Sequence, residues 1–313
     1  MKPIKHITVA YPCLVAAMVL WASTFAAQKL ALRTCHPTHI IFARMFIASL
    51  CAIPFSFSFS FVFKNRPKIR QKDIKFLVML VLCEPCLYFF FETRALVYTS
   101  ASQAGMLTTM VPLFTALGAW IFLQERLDTR TFTGFFVATG GALWLSLASP
   151  PDPHGPNPLL GNTFELIAML CAGGYTISLK KLAGRYNPMF LAFIQAFAGT
   201  AFYLPFMLIQ DTGPLVPQDP VALWAIIYLG VVITIGAYAF YNFGVSRIPA
   251  SQATAFINLI PVLTLVMNAI VLEEHFSTVQ YMASTLVLAG VIMTQEIPFQ
   301  RAGKATGMPL PPA

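Results

Sequence analysis

The most regular feature of the chain is a series of long apolar stretches separated by short polar segments. Ten of these stretches approach the roughly 20 residues that an α-helix needs to cross a bilayer. Because backbone groups in hydrocarbon must be satisfied within their own segment, a helix bundle is the architecture that this pattern favours. The predicted transmembrane helices lie at 10–32, 39–62, 76–97, 102–123, 131–148, 161–180, 188–209, 221–245, 251–272 and 278–298.

Two segments fit this pattern less directly. Phe55–Phe61 alternates Phe and Ser with a period of two, which is typical of a strand. An open strand cannot lie in hydrocarbon, so we interpret the segment as the inner end of the second helix. The N-terminus, with Lys2 and Lys5 before an apolar run, resembles a signal peptide. That run is too long and nine more follow it, so we assign it to the first transmembrane helix.

The composition agrees with a membrane protein. Hydrophobic residues make up 57% of the chain and charged residues only 10%, whereas a soluble domain has about 25% charged residues. A chain of 313 residues cannot bury so much apolar surface in an aqueous core, which excludes a soluble enzyme and a disordered scaffold. Cys83 and Cys86 form a CxxC pair without further ligands or a redox setting, so we predict no metal site, cofactor or disulfide framework.

The net charge of +8 is distributed unevenly between the loops. With the N-terminus inside, 16 of the 20 Lys and Arg residues lie on that side and Arg33 alone lies on the other. Cytoplasmic loops carry such an excess, so we predict an inner-membrane protein with both termini cytoplasmic. The basic segment Lys64–Lys75 follows from this topology, with anionic lipid or RNA as the open alternative; we predict no nucleic-acid partner.

The chain also contains an internal repeat. A shift of 149 residues superimposes Ala101–Ala104 on Ala250–Ala253, both ASQA, and aligns Pro112 with Pro261 without a gap. Because each copy holds five helices, an odd number, the second copy must be inverted in the membrane, as in many secondary transporters. The predicted units are a first repeat at 1–150, a second repeat at 151–298 and a cytoplasmic tail at 299–313.

Three segments resemble those of a known family. They are WASTF at Trp21–Phe25, TSASQAGMLTTMVPLFTALGAWIFLQERL ending at Leu127, and ASQATAFINLIPVLTLVMNAIVLEEHF ending at Phe276. The first resembles the first-helix signature of the drug/metabolite transporter superfamily, EamA type. The other two are similar to the fourth-helix block of that family and its counterpart in the second half. Cys171 and His275 stand where Trp and Arg are common, which bears on the solute rather than on the fold.

The resemblance implies an all-α, ten-helix secondary transporter that exports or exchanges small metabolites, often amino acids. It also implies a central cavity between helices 1, 3, 4, 6, 8 and 9. The chain contains nothing like a Walker phosphate loop, so we expect an ion or solute gradient to drive transport, and a proton is one candidate ion. Two alternatives stay open: a polytopic enzyme or lipid-handling protein, which needs a convergent catalytic set, and a structural subunit. The expected partners are a small solute and the lipid bilayer, and the oligomeric state is left open.

Ionisable residues inside a membrane are costly and therefore indicate functional sites. Glu84 lies near the middle of the third predicted helix, so it faces a polar interior or is held neutral by desolvation. In a continuous helix, at about 100° per residue, Tyr88 is about 40° and Glu92 about 80° from it, so the three share one face. We predict that Glu84 couples transport or binds the substrate. The alternative is a protonated Glu that is hydrogen-bonded between helices.

Pro112 and Pro261 interrupt the middles of the fourth and ninth predicted helices, and each leaves the carbonyl four residues earlier without its helical donor. Interrupted helices form transporter sites, so we predict a hinge or gating role, with a purely structural kink as the alternative. The other candidates, each of which also suits helix packing, are Trp21, Thr24, Thr108, Thr109, Tyr175, Tyr238, Asn242 and Asn258 for substrate contact and Gln103 and Gln252 for capping or gating. Lys29, Arg44 and Arg94 lie within spans and either contact the solute or snorkel to an interface.

Overall fold

Ten helices with short connections make up the part of the chain that the structure describes. The structure is a computed structural model and describes residues 3–58, 69–123, 129–148, 155–209, 217–247, 253 and 256–294. In chain order the helices are α1 (Pro3–Leu32), α2 (Pro37–Ser58), α3 (Gln71–Tyr98), α4 (101–123), α5 (Thr129–Leu147), α6 (Pro158–Leu182), α7 (Pro188–Ile209), α8 (Pro220–Arg247), α9 (Phe256–Val271) and α10 (Thr278–Thr294). They follow the ten apolar stretches of the sequence, with ends that differ by a few residues.

Five of these helices are long and apolar enough to cross a membrane on length and hydropathy alone. Their qualifying ranges are Val9–Leu32, Pro37–Pro54, Gln71–Tyr98, Met189–Ile209 and Pro220–Arg247. Most of α5 and all of α9 are shorter apolar helices. The alternating Phe and Ser segment begins inside α2, which stays helical to Ser58; its last three residues lie outside the described ranges.

Two pairs of helices are interrupted, and the interruptions recur in the two halves of the chain. A π-helical segment divides α3 at Leu82–Leu87 and another divides α8 at Leu229–Ala237. A 3₁₀ turn divides α4 at Thr108–Met110, and the described part of α9 starts with one at Phe256–Asn258. After a shift of 149 residues, each segment of the first half overlaps its counterpart in the second half.

The packing of the helices shows the same inverted symmetry. α1 packs against α8 and α9, and its counterpart α6 packs against α3 and α4. The equivalent helices α2 and α7 pair with each other, as do α5 and α10. Each half therefore inserts its first helix between the third and fourth helices of the other half, and the fold is two inverted five-helix repeats. The unit limits at 150 and 298 stay predictions, and the tail at 299–313 lies outside the described residues.

Two glycines allow α5 and α10 to cross at short distance. A Cβ added to Gly141 would lie 2.7 Å from the backbone nitrogen of Val287, and one added to Gly290 would overlap the backbone of Ala138. Gly141 and Gly290 are 149 residues apart, and so are Ala138 and Val287. The two contacts are therefore equivalent and relate the two helices by the same pseudo-two-fold symmetry.

Polar contacts join the two halves at both ends of the bundle. Where α3 begins, Asp73 forms an ion pair with Arg185, which follows α6. At the opposite end of α3, Asn162 of α6 donates hydrogen bonds to Oε1 of Gln103 at 2.9 Å and to Oγ of Ser146 at 3.0 Å. The halves are thus tied on each side of the membrane.

Candidate functional site

A cavity lies between the two halves, beside the interruptions in the helices. It holds about 540 Å³ of space between atoms, including its opening. Its walls come from α1, α3, α4, α6, α8 and α9, the six helices that the resemblance assigns to it, and from Arg44 of α2. The residues selected from the sequence that line it are Trp21, Thr24, Glu84, Tyr88, Glu92, Thr108, Tyr175 and Tyr238.

The interruption of α3 is centred on Glu84. Its backbone is extended, with φ −149° and ψ 118°, a conformation that the ring of the following Pro85 favours over the helical one. The continuous helix on which the shared face was predicted is therefore wrong at this point. Glu84, Tyr88 and Glu92 still line one cavity, because the second segment of α3 begins at Tyr88 and places the latter two along one side.

Side chains of α7 satisfy the carbonyl groups that this interruption frees. Gln195 Nε2 donates a hydrogen bond to the Glu84 carbonyl oxygen at 2.9 Å. The Tyr203 hydroxyl donates to the carbonyl oxygens of Pro85, at 3.4 Å, and of Cys86. Unpaired backbone groups are expensive in a membrane, so these donors stabilise the broken helix from behind the cavity.

Aromatic rings surround the carboxylate of Glu84. The Tyr238 hydroxyl donates a hydrogen bond to Glu84 Oε1 and so links α8 to α3. The centroid of the Trp21 ring lies 5.5 Å from that of Tyr238 and 4.7 Å from that of Tyr241. Tyr175 is 6.2 Å from Tyr238 by the same measure. Such a wall beside a carboxylate can receive an ammonium group or an apolar side chain.

Arg44 brings a positive charge to the same cavity. The residue is 2% exposed, and its guanidinium carbon lies 3.9 Å from the centroid of the Phe89 ring. Its Nε donates to Oγ1 of Thr234 at 2.9 Å. Its Nη1 is buried and has no hydrogen-bond partner among the described residues. A guanidinium donor in this position suits a carboxylate, and burial at the cavity wall does not suit snorkelling.

Lys29 has a structural position at the end of α3. Its Nζ donates hydrogen bonds to the carbonyl oxygens of Leu96, at 2.7 Å, and Thr99, at 2.6 Å. These carbonyls belong to the last turn of the helix, where a lysine completes the hydrogen bonding and complements the helix dipole. The structure thus places Lys29 as a cap.

Arg94 also lies away from the cavity. Its guanidinium carbon is 5.7 Å from the centroid of the Phe90 ring. Its charge acts on His36 in the connection between α1 and α2. Burial, followed by the charges of Arg94 and His39, lowers the pKa of His36, so we expect this imidazole to be neutral at neutral pH.

Glu92 is buried at the edge of the cavity, one turn beyond Tyr88, and both of its carboxylate oxygens are paired. Gln28 Nε2 donates to one oxygen at 2.7 Å, and the Tyr88 hydroxyl donates to the other at 2.7 Å. Thr93 Oγ1 donates in turn to Gln28 Oε1 at 2.9 Å, which orients the amide. This polar cluster joins α1 to α3.

Glu165 of α6 is an acid within the sixth predicted helix, but it was not among the predicted substrate or coupling residues. It is 0% exposed, and neither carboxylate oxygen has a hydrogen-bond partner among the described residues. Met169, Ala172 and Thr176, at helical spacings from Glu165, line the cavity, so Glu165 extends that face of α6 by one turn. Among the described residues, no group of three or more His, Cys, Asp or Glu side chains is placed to hold a metal ion.

Three other candidates lie behind the cavity wall. Thr109 is fully buried, and its hydroxyl donates to the Met106 carbonyl oxygen at 2.9 Å. Asn242 Oδ1 accepts a hydrogen bond from the Tyr175 hydroxyl at 2.7 Å and so positions that ring. Asn258 Oδ1 is buried without a hydrogen-bond partner within the described ranges.

Both predicted hinge prolines lie in the first turn of a helical segment that follows a 3₁₀ turn. Pro112 is the second residue of the helical segment Val111–Leu123, and Pro261 is the third residue of Leu259–Val271. The Thr108 carbonyl lacks the helical donor that Pro112 cannot supply, but it accepts a hydrogen bond from the backbone N–H of Val111, which ends the turn. The tighter turn therefore compensates for the missing proline donor.

The two predicted glutamines have different outcomes. Gln103 lies in the first turn of α4, where its N–H is capped by Ser100 Oγ at 3.2 Å and its side chain accepts from Asn162. It is therefore one of the ties between the halves and does not line the cavity. Gln252 lies outside the described residues.

Comparison with known proteins identifies the family. The model of the EamA-like transporter family matches the chain twice, over residues 8–147 and 159–295. The chain belongs to the EamA-like transporter family. The resemblance carried by Trp21–Phe25 and the two proline-containing blocks is thereby confirmed.

Two relatives and one solved structure resemble the chain along nearly its whole length. The Bacillus subtilis protein YcxC, named an uncharacterized transporter, is 27% identical over 316 residues, which cover 98% of this chain and 99% of YcxC. A probable terminal-alkyne amino-acid exporter of Streptantibioticus cattleyicolor is 26% identical over 284 residues, with 90% and 91% coverage. A crystal structure with 17% identity superposes with a TM-score of 0.62 and covers 96% of this chain and 99% of its own. That last likeness supports the fold alone.

The sequence-based selection missed much of the wall of this EamA-family cavity. Two patterns in the sequence could have identified more of the site. One is the helical spacing of Glu165 with the lining residues of α6; the other is Pro85, which directly follows Glu84. The apolar residues of the cavity wall could not be identified in this way, because in sequence they look the same as residues that face lipid. The further lining residues are Phe25, Phe89, Val111, Met169, Ala172, Thr176, Tyr241, Ile257 and Ile260.

Proposed function

We propose that the chain is a secondary transporter that exports or exchanges an amino-acid-like solute by alternating access. The observation that carries this proposal is the pairing, in one cavity, of a buried guanidinium that has an unpaired donor, Arg44, with a buried carboxylate, Glu84. The relative named as a probable terminal-alkyne amino-acid exporter supports the same class of solute.

A zwitterion complements these two groups. Its carboxylate would accept from Arg44 Nη1, and its ammonium group would meet Glu84 and the rings of Trp21 and Tyr238. Its side chain would pack on the aromatic wall. A buried charge without its full set of partners is costly, so a solute that supplies those partners gains affinity from groups already held in place.

Alternating access requires the contacts that join the two halves at each end of the bundle to break in turn. On the side where α4 begins, Gly105 lies against Thr264 of α9, and a Cβ at Gly105 would overlap that side chain. The Asn162 hydrogen bonds close the same side, and the Asp73–Arg185 pair ties the other. The interruptions in α3, α4, α8 and α9 are suitable hinges.

We place the protein in the inner membrane with both termini cytoplasmic, on the strength of the loop charges. We keep 1–150 and 151–298 as its two units. The relatives are named as transporters, which favours transport over a polytopic enzyme or a lipid-handling protein.

Counterflow in proteoliposomes tests the proposal. Vesicles preloaded with unlabelled L-phenylalanine are diluted into tritiated L-phenylalanine, and the other proteinogenic amino acids are then tested as the preloaded solute. We expect transient accumulation of label with the protein and none in protein-free vesicles. Absence of counterflow for every amino acid, with monodisperse and correctly inserted protein, would overturn the proposal.

A further inference from the structure

Two buried carboxylates lie at one level between the cavity and the end of the bundle where α3 stops. Glu92 is six residues before the end of α3 at Tyr98, and Glu165 is seven residues after the start of α6 at Pro158. These ends are joined, because the Asn157 N–H donates to the Tyr98 carbonyl at 3.0 Å. At about 1.5 Å per residue, both acids are thus roughly 10 Å from the same end, on two helix segments that pack together.

The two acids have opposite surroundings. Glu92 accepts two hydrogen bonds, from Gln28 and Tyr88, and the positive charge of Arg44 acts on it. Glu165 is fully buried and has no hydrogen-bond partner in the described part of the chain, and the charge that acts on it is that of Glu92. An isolated carboxylate in a membrane interior does not stay ionised. Of the two acids, Glu92, with its two donors, is therefore the better placed to carry a negative charge, and Glu165 is the better placed to carry a proton.

The groups that face Glu165 come from α3. Glu92 and Tyr88 lie at its level, and Glu84 lies deeper in the cavity. The described residues of α4 include no ionisable side chain. The cations of α5 and α8, Arg130 and Arg247, lie at the opposite ends of their helices. Of the other elements packed against α6, none brings a positive charge that would stabilise a second carboxylate at this level.

We propose that Glu165 and Glu92 form a one-proton exchange site between α3 and α6, through which solute movement is coupled to a proton. The proposal rests on the proposed transport function. A water-excluded interface between α3 and α6 tolerates one negative charge at this level but not two, so the interface closes only with one proton bound. When the interface opens to water, the O–H bond of Glu165 breaks and the proton passes to water; closure requires uptake of one proton from the side then exposed.

Tyr88 connects this pair to the solute. Its ring lines the cavity, and its hydroxyl holds Glu92. A solute that displaces Tyr88 removes one of the two donors on Glu92, which favours movement of the proton from Glu165 to Glu92. Solute binding and proton location are therefore linked through one side chain, without contact between the solute and Glu165.

Proteoliposomes with a trapped pH-sensitive dye test the coupling. For the wild type we expect a pH gradient to drive accumulation of L-phenylalanine, and L-phenylalanine to elicit proton flux. Glu165→Gln keeps the neutral shape of the protonated acid, so counterflow should stay within about twofold while gradient-driven accumulation falls at least tenfold. Glu165→Asp should retain coupling. Glu273→Gln, which removes an exposed carboxylate, and His36→Gln are matched controls and should behave as the wild type.

Infrared spectroscopy of the purified protein tests the proton site without any solute. The wild type at neutral pH should show a carboxylic-acid C=O stretching band that shifts in D₂O. Glu165→Gln should lose that band and Glu273→Gln should keep it. An unchanged band in Glu165→Gln, or wild-type pH dependence of accumulation in that variant, would overturn the proton site. Failure of wild-type counterflow would instead overturn the transport proposal. The infrared band would then still test whether Glu165 holds a proton.

Discussion

Tyr238, in the second half of the chain, donates a hydrogen bond to Glu84, in the first half, at the point where α3 is broken. The residue that matches Glu84 in the internal repeat is Ile233, which is fully buried in the π-helical segment of α8. The acid thus occurs in one half only, and its hydroxyl partner comes from the other. The cavity is therefore chemically asymmetric although the fold around it is symmetric.

Glu84→Gln should express normally and lose most transport. Gln keeps the shape and the hydrogen bond to Tyr238 but cannot neutralise a solute ammonium. A hydrogen bond to a charged group contributes about 1.5–3 kcal/mol, so L-phenylalanine counterflow at low concentration should fall at least about tenfold. Tyr238→Phe, which leaves the carboxylate and removes one donor, should cause a smaller loss. Wild-type kinetics of Glu84→Gln at every pH tested would contradict the assignment.

Arg44→Met should separate solutes that carry a carboxylate from those that do not. Met fills part of the space over Phe89 but cannot donate, so competition by L-phenylalanine should weaken at least tenfold while competition by phenethylamine should not. Arg94→Met is the matched control, since Arg94 lies on Phe90 outside the cavity. Equal weakening of both competitors in Arg44→Met would show that Arg44 acts on the structure rather than on the solute.

The helices were predictable because the bilayer demands long apolar segments. The interruptions were predictable only in part. Pro112 and Pro261 indicated the interruptions of α4 and α9, and Pro85 indicates the interruption of α3 at Glu84. The π-helical segment Leu229–Ala237 contains no proline; its position follows from the symmetry of the repeat and from packing, which no local pattern records.

Site residues could be predicted where their side chains are unusual in a membrane helix. They could not be predicted where their role depends on their position in the tertiary structure. Glu84 and Glu92 were identified because acids in apolar helices are unusual. Arg44, Glu92 and Glu165 all lie near a helix end, where snorkelling is a valid explanation, but only Glu92 was predicted to share a helix face with Glu84. Their burial depends on which neighbouring helix covers them, and that is a tertiary property.

The charge bias of the loops predicts a definite topology. Reporter fusions at Lys68 and Lys181 should be cytoplasmic, and fusions at His154 and Gly213 should be external, because the first pair lies in basic segments and the second in segments without Lys or Arg. Paired phosphatase and fluorescent-protein fusions measure this. If Lys68 and His154 report the same side, the inverted orientation of the repeats is contradicted.

Pro112→Ala and Pro261→Ala should reduce transport more than membrane expression. Alanine restores a backbone donor, so the 3₁₀ turns beside the cavity can relax toward continuous helix and alter the position of Thr108 and Ile257 in its wall. Initial counterflow rates, normalised to inserted protein, measure the effect. Pro205→Ala is the control, because Pro205 is an exposed proline inside α7. Unchanged kinetics in both cavity variants would reduce these prolines to packing features.

Gly141→Ala should destabilise the protein, while Gly140→Ala, at the adjacent residue, should not. A Cβ at Gly141 would lie 2.7 Å from the Val287 backbone nitrogen, and backbone cannot rotate away as a side chain can. A Cβ at Gly140 meets nothing within 4 Å. Overpacking of this kind costs about 1–3 kcal/mol, whereas replacing an exposed helical glycine with alanine stabilises by up to about 1 kcal/mol.

Thermal unfolding of the purified protein in detergent measures this difference. The midpoint should fall for Gly141→Ala and stay level or rise for Gly140→Ala. Gly290→Ala should behave as Gly141→Ala, because its Cβ would overlap the backbone of Ala138 at the equivalent contact. Equal midpoints for the variants at 140 and 141 would show that α5 and α10 do not cross at this short distance. The symmetric contact between the two halves at this crossing would then be contradicted.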